Sequence, residues 1–290
     1  MKNLDINEKL KGLEKADGPG NLVAVKNRIT IKFRELKSKN RKALIPFITA
    51  GYPDLKSFME LFLLLERCGA DIIEIGIPFS DPLADGPVIQ KASKIALDNG
   101  TDTDTVLDLI KSFRMQSNIP VVVLSYFNIL YRYGFERFFE RAKECGIDGM
   151  IIPDLPLEEF PVCRSYFENS GIANIMLASL TSGIDRLAKI AESAKGFLYC
   201  VSVKGVTGVR KGMDEEVKKF LERLRGITGL PLAVGFGISN LSQIRQIKDC
   251  CDGVIIGSKL LSIIMESENH KTGFKEAANF LKYINRELKK

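Results

Sequence analysis

The chain has 290 residues, 45% of them apolar, and a formal charge of +6, so it can bury a sizeable core in one large or two ordinary domains. Met1 to Lys42 holds twelve Lys or Arg against five Asp or Glu, so this stretch carries +7 and the remainder about −1. The body therefore lacks the basic surface of a nucleic-acid binder, and the basic stretch is read as a solvated arm rather than a nucleic-acid or membrane-surface element.

Residues 1–25 are polar and end in the turn cluster Asp17-Gly18-Pro19-Gly20, which marks them as an extension of unknown role ahead of a single domain over 26–290. Ile29, Phe33 and Leu36 then recur at helical spacing and predict a short helix that caps the bottom of a larger structure. From Ala43 onward eight apolar, β-branched runs alternate with amphipathic stretches: ALIPFITAG (43–51), DIIEIGIPF (71–79), PVVVLSYF (120–127), GMIIPDLP (149–156), IANIMLAS (172–179), GFLYCVSV (196–203), LPLAVGFGI (230–238) and DGVIIGS (252–258). The first intervening helix places Phe58, Leu61, Phe62 and Leu65 on one face. The last, from Gly273, does the same with Phe274, Ala277, Leu281, Ile284 and Leu288. Near-continuous apolar strands are typical of parallel sheets covered on both faces. Eight even βα units predict a single closed (β/α)8 TIM barrel with an N-terminal capping helix; a doubly wound open sheet is the alternative.

Among these strands one residue stands out. Alternation along DIIEIGIP sends Ile73, Ile75 and Ile77 to one face and Ile72, Glu74, Gly76 and Pro78 to the other. Glu74 thus points into whatever that second face encloses, where an ionised carboxylate is costly unless paired. No Lys or Arg lies inside the other apolar runs to pair with it, and a buried carboxylate without a cationic partner marks a candidate active site.

A barrel places its site at the C-terminal ends of the strands, where the chain has Gly51-Tyr52-Pro53-Asp54, Phe79 to Gly86, Tyr126-Phe127-Asn128, Asp154-Leu155-Pro156, Lys204 to Gly208, Gly235-Phe236-Gly237 and Gly257-Ser258. The glycine clusters after strands six, seven and eight let backbone N–H groups approach an anion, and a helix starting after Gly257-Ser258 aims its positive end there. A phosphorylated ligand follows. GFG is not a GxGxxG fingerprint, so nicotinamide and flavin are not expected. The six cysteines show no CxxC spacing and read as reduced thiols. His270 is the single histidine, which disfavours a His-based triad or a usual zinc site. With no apolar run of membrane-spanning length and no apolar leader, a cytoplasmic protein without membrane association is expected.

The rim motifs PFITAGYPD (46–54), EIGIPFSDPLADGP (74–87), SYFNILYRYG (125–134), PDLP (153–156), GVTG (205–208), GFGIS (235–239) and IIGS (255–258) occur in this order, and in them the chain resembles the tryptophan synthase alpha chain family from about Lys42 to the C-terminus. The resemblance implies a carbon–carbon lyase that cleaves indole-3-glycerol phosphate to indole and glyceraldehyde 3-phosphate. It makes Glu74 the general acid/base, Asp85 the group binding the indole N–H, and Tyr199 a neighbour of the reacting carbons. Phe47, Tyr126 and Phe236 fall at positions lining the indole pocket, and Thr207, Gly208, Gly237, Gly257 and Ser258 at positions around the phosphate. No metal and no cofactor is implied on this chain. Pyridoxal phosphate is expected only on a beta-chain partner, met around Asp81, Pro82, Asn128 and Pro156 in a heterotetramer.

Two positions depart from the family pattern: Val203, where an arginine is usual before the GVTG loop, and Lys259, where a small residue is usual. From the residues alone, Asp85 also reads as a helix N-cap for the stretch after Pro87. Lys204, at a strand end, leaves a Schiff-base aldolase as a rival, alongside a stand-alone indole-releasing lyase and a non-catalytic regulatory subunit.

Overall fold

The computed structural model describes residues 27–201, 213–235 and 241–290. Its strands are β1 (Ala43–Thr49), β2 (Ile73–Gly76), β3 (Val121–Leu124), β4 (Gly149–Ile151), β5 (Ala173–Asn174), β6 (Met176–Ser179), β7 (Leu198–Val201), β8 (Leu232–Gly235) and β9 (Gly253–Ile256). The helices are α1 (Arg28–Ser38), α2 (Leu55–Arg67), α3 (Pro87–Asp98), α4 (Thr103–Arg114), α5 (Phe127–Tyr133), α6 (Phe135–Glu144), α7 (Pro161–Ser170), α8 (Ile184–Ser193), α9 (Met213–Ile227), α10 (Leu241–Ile247), α11 (Ser258–Glu266) and α12 (His270–Leu288).

Every strand pairing is parallel, and the strand order is β5-β4-β3-β2-β1-β9-β8-β7-β6. The two ends of that order, β5 and β6, are halves of the single predicted run 172–179, interrupted at Ile175. The first half pairs with β4 and the second with β7, while Ile175 N–H still reaches the Met150 carbonyl at 3.0 Å. The sheet therefore closes through the backbone of one bent strand. This is the predicted TIM barrel, and the open-sheet alternative falls.

The strands are shorter than the apolar runs that announced them. DIIEIGIPF contracts to Ile73–Gly76: at one end Asp71 turns back so that its Oδ2 accepts from Leu44 N–H at 3.0 Å, and at the other Pro78 has no N–H to continue a ladder.

α1 closes the bottom of the barrel. Ile29, Phe33 and Leu36 are buried, Asn27 caps the helix by accepting from Ile29 N–H at 2.9 Å, and the Phe33 and Phe197 rings lie 5.7 Å apart. Gly149 makes room for the plug, since a Cβ there would sit 2.7 Å from Ile29 Cδ1. Arg28 and Arg114 hold buried Asp148 at 2.7 and 3.2 Å, so the carboxylate below the core is paired. The predicted faces of α2 and α12 are all buried. α12 begins at His270, before the predicted Gly273, because Asn269 caps it by accepting from Thr272 N–H at 3.0 Å.

Candidate active site

Strand register puts Glu74 beside Phe47 of β1 and Val122 of β3, all facing the lumen. Glu74 is 1% exposed, and neither carboxyl oxygen has a hydrogen-bond partner among the described residues. Burial, and secondarily the charge of Asp85, pushes its pKa up to about 8. With burial and a neighbouring negative charge both opposing ionisation, an uncharged carboxyl is the physical result.

Asp85 approaches from the loop after β2. Its Oδ2 accepts a hydrogen bond from Tyr126 Oη at 3.0 Å, and the same phenol oxygen accepts from Ala84 N–H at 3.1 Å. Burial lifts Asp85 to about 6, with the Tyr126 hydroxyl pulling the other way, so it remains largely ionised at neutrality. It does not cap a helix. Gly86 is the N-cap of α3 and no side chain bonds there, with Pro87 in the first turn.

Tyr199 on β7 is 6% exposed, and its phenol is pushed far up by burial, then by the charges of Glu74 and Asp85. Its ring lies over Gly235 at the end of β8, where a Cβ would meet Tyr199 Cε1 at 2.4 Å. Phe47 fills the space left by two other glycines: a Cβ would come within 2.7 Å of its ring at Gly76 and 3.1 Å at Gly257. Tyr126 is buried and packs on Phe79, ring centroids 5.1 Å apart. The glycines around the lumen are thus sockets for aromatic rings.

α11 begins at Ser258 with Gly257 as N-cap, the helix start expected at an anion site, and Ser258 is exposed on it. Lys259 is half-buried in the first turn. Thr207, Gly208, Phe236 and Gly237, with Lys204 and Val203, lie outside the described residues. Of the positions expected to meet a partner, Asp81, Asn128 and Pro156 are exposed and Pro82 is buried. Asp154 Oδ1 accepts from Phe127 N–H at 2.9 Å and ties the Pro156 loop to the helix carrying Asn128. Among the described residues, no group of three His, Cys, Asp or Glu side chains is arranged to hold a metal ion, and no helix is long and apolar enough to cross a membrane.

Sequence reasoning placed Tyr126 only as a pocket wall, and the hydrogen bond to Asp85 spans 41 positions with no local signal to reveal it. Phe79 and Thr49 carried no signal beyond that of ordinary loop and strand residues.

A family model described as "Tryptophan synthase alpha chain" matches residues 33–290. The chain belongs to the tryptophan synthase alpha chain family. Its similarity to the alpha chain of Alkaliphilus metalliredigens is 44% identity over 258 residues, covering 89% of this chain and 97% of that one. With the alpha chain of Synechococcus elongatus it is 47% over 235 residues, covering 81% and 88%. Among solved structures, the tryptophan synthase subunit alpha of Legionella pneumophila matches with a TM-score of 0.84 and 35% identity, covering 90% of this chain and 98% of that one. A chain of Mycobacterium tuberculosis tryptophan synthase matches with a TM-score of 0.83 and 30% identity, covering 91% and 99%.

Proposed function

We propose that this alpha chain cleaves indole-3-glycerol phosphate by a retro-aldol reaction in which Glu74 moves the protons and Asp85 stabilises the charge. The observation that carries this reading is the pair of carboxyls in one lumen with pKa values driven apart, Glu74 to about 8 and Asp85 to about 6. Near neutrality one is an acid and the other an anion.

The chemistry needs that division. Glu74 delivers a proton to indole C3, which leaves positive charge at the ring nitrogen, and Asp85 opposite the N–H stabilises it electrostatically. The C3–C1′ bond then breaks, its electron pair restores the aromatic ring, and the C1′ hydroxyl gives its proton to the Glu74 carboxylate as the aldehyde forms. Protons in and out balance. A carboxyl held by no hydrogen bond among the described residues can turn between the two atoms it must serve. Tyr126 holds Asp85 in place, and Tyr199 and Phe47 supply flat apolar walls for the ring. The phosphate falls at the N-terminus of α11, with Gly257 and Ser258 the described part of its site.

The partner in this reading is a tryptophan synthase beta chain, which carries pyridoxal phosphate, consumes the indole and completes a heterotetramer; exposed Asp81, Asn128 and Pro156 support this. The test is release of indole from indole-3-glycerol phosphate by the purified chain, alone and with a beta chain. Indole formation that rises with the beta chain is expected, and no indole under either condition rejects the reading.

A further inference from the structure

Among the described residues, Glu74 is not the only buried polar side chain of the lumen without a hydrogen-bond partner. Thr49 is 1% exposed, and its Oγ1 has no hydrogen bond among the described residues. The other unpaired buried groups have evident structural settings. Arg41 and Arg114 each leave one guanidinium nitrogen unbonded while the group sits beside Asp71 or Asp148, and Thr101 lies between α3 and α4, packed on Gly51.

Thr49 differs in where it points. It ends β1 two residues beyond Phe47, so alternation gives it the same lumen face. Its register partner is Gly76, two residues beyond Glu74. A buried hydroxyl without a partner is destabilising, and valine, of the same shape, would fill this apolar strand position without that cost. The hydroxyl therefore points to a partner outside the described residues.

The strand order says which group. β1 lies between β2, which carries Glu74, and β9, which runs into Gly257 and α11. On the function proposed above, the phosphate lies at the end of β9 and the reacting carbons at Glu74, so the glycerol chain that joins them crosses the top of β1. We infer that the Thr49 hydroxyl is a further substrate-binding group, hydrogen-bonded to a hydroxyl of that glycerol chain and orienting it toward Glu74. This inference rests on the proposed reaction and adds to it the residue that recognises the oxygenated side chain rather than the ring or the phosphate.

The experiment compares two ligands on the full chain: indole-3-glycerol phosphate, and 3-(indol-3-yl)propyl phosphate, which keeps the ring and phosphate but lacks both hydroxyls. For Thr49→Val, kcat/KM on the first falls about tenfold, the scale of one hydrogen bond lost, while affinity for the second stays within about twofold of the parent. The unliganded variant unfolds at the same temperature as the parent or higher, because an unpaired buried hydroxyl is gone. Thr49→Ser, which restores the hydroxyl, recovers most of the loss. Unchanged kcat/KM in Thr49→Val, or equal losses on both ligands, overturns the role of Thr49. A parent that neither cleaves the first ligand nor binds the second overturns the proposed reaction, and this inference with it.

Discussion

A glutamate that keeps its proton to about pH 8 and an aspartate that loses its own near pH 6 set an operating window. Below it Asp85 is neutral and the ring charge unsupported; above it Glu74 has no proton for C3. The kcat/KM profile should be bell-shaped with limbs near those values, each limb belonging to the coupled pair. Tyr126→Phe removes the hydrogen bond that lowers Asp85 and should move the acid limb upward; a limb that stays put in that variant would show that Tyr126 does not tune Asp85. Glu74→Gln should lower turnover at least about a hundredfold while changing stability in a pH-dependent way. The folded-state pKa of Glu74 is raised from 4.5, so the native state binds its proton more tightly than the unfolded chain and stability is lost as pH rises from about 4.5 to about 8. The glutamine variant escapes that loss. Its melting temperature should match the parent near pH 4.5 and exceed it at pH 8, and parallel curves would contradict the buried acid. Asp85→Asn should retain substrate affinity within a modest factor and raise the barrier by about 2–4 kcal/mol, the scale of one electrostatic stabiliser. Steady-state kinetics on folded variant within threefold of the parent would remove Asp85 from the mechanism. Glu74 was legible because period-2 alternation and the lack of lysines and arginines are local facts. The Asp85–Tyr126 bond and the place of Thr49 between the strand of Glu74 and β9 were not, because they depend on which strands become neighbours.

At the scale of elements, the alternation of apolar runs and helical faces carried most of the architecture, down to the α1 plug and the start of α11 at Ser258. Two features escaped it. The bend at Ile175 changes no residue type, since a strand that switches partners needs the same apolar side chains as one that does not. The pairing of glycines with rings is likewise invisible in sequence: Gly235 reads as part of a phosphate loop, yet in space it receives Tyr199. Gly235→Ala should force the Tyr199 ring aside, costing about 1–3 kcal/mol of stability as overpacking does and lowering turnover of the folded enzyme. Thermal unfolding and kinetics on one preparation check both, and a variant with parental values in each would mean that the ring moves freely.

For the whole molecule, the expected basic arm is corrected: residues 1–25 hold four Lys against four Asp or Glu, so the +7 lies in residues 26–42. There α1 packs Ile29, Phe33 and Leu36 into the core and the charges line its outer side, while the extension ahead of it is known by composition alone. The family match begins at residue 33, beyond the extension, and every described side chain at the candidate site comes later in the chain. Removal of residues 1–25 should therefore leave indole release intact; a folded but inactive product would place the arm in the site. Closure of the barrel has a consequence for how the chain is made. β1 pairs with β9, Ala43 beside Gly253, and Lys42 N–H bonds the Leu288 carbonyl at the end of the last helix. A ribosome reading the message releases β1 early and β9 late: the ~210 residues from Ala43 to Gly253 take roughly 10–40 s at about 5–20 residues per second. Throughout that interval one edge of ALIP faces solvent with its backbone groups unpaired, the kind of edge that recruits other strands. Translation, not only sequence, thus sets how long the half-built cylinder needs shielding, and a stop codon anywhere before β9 makes that sticky seam permanent.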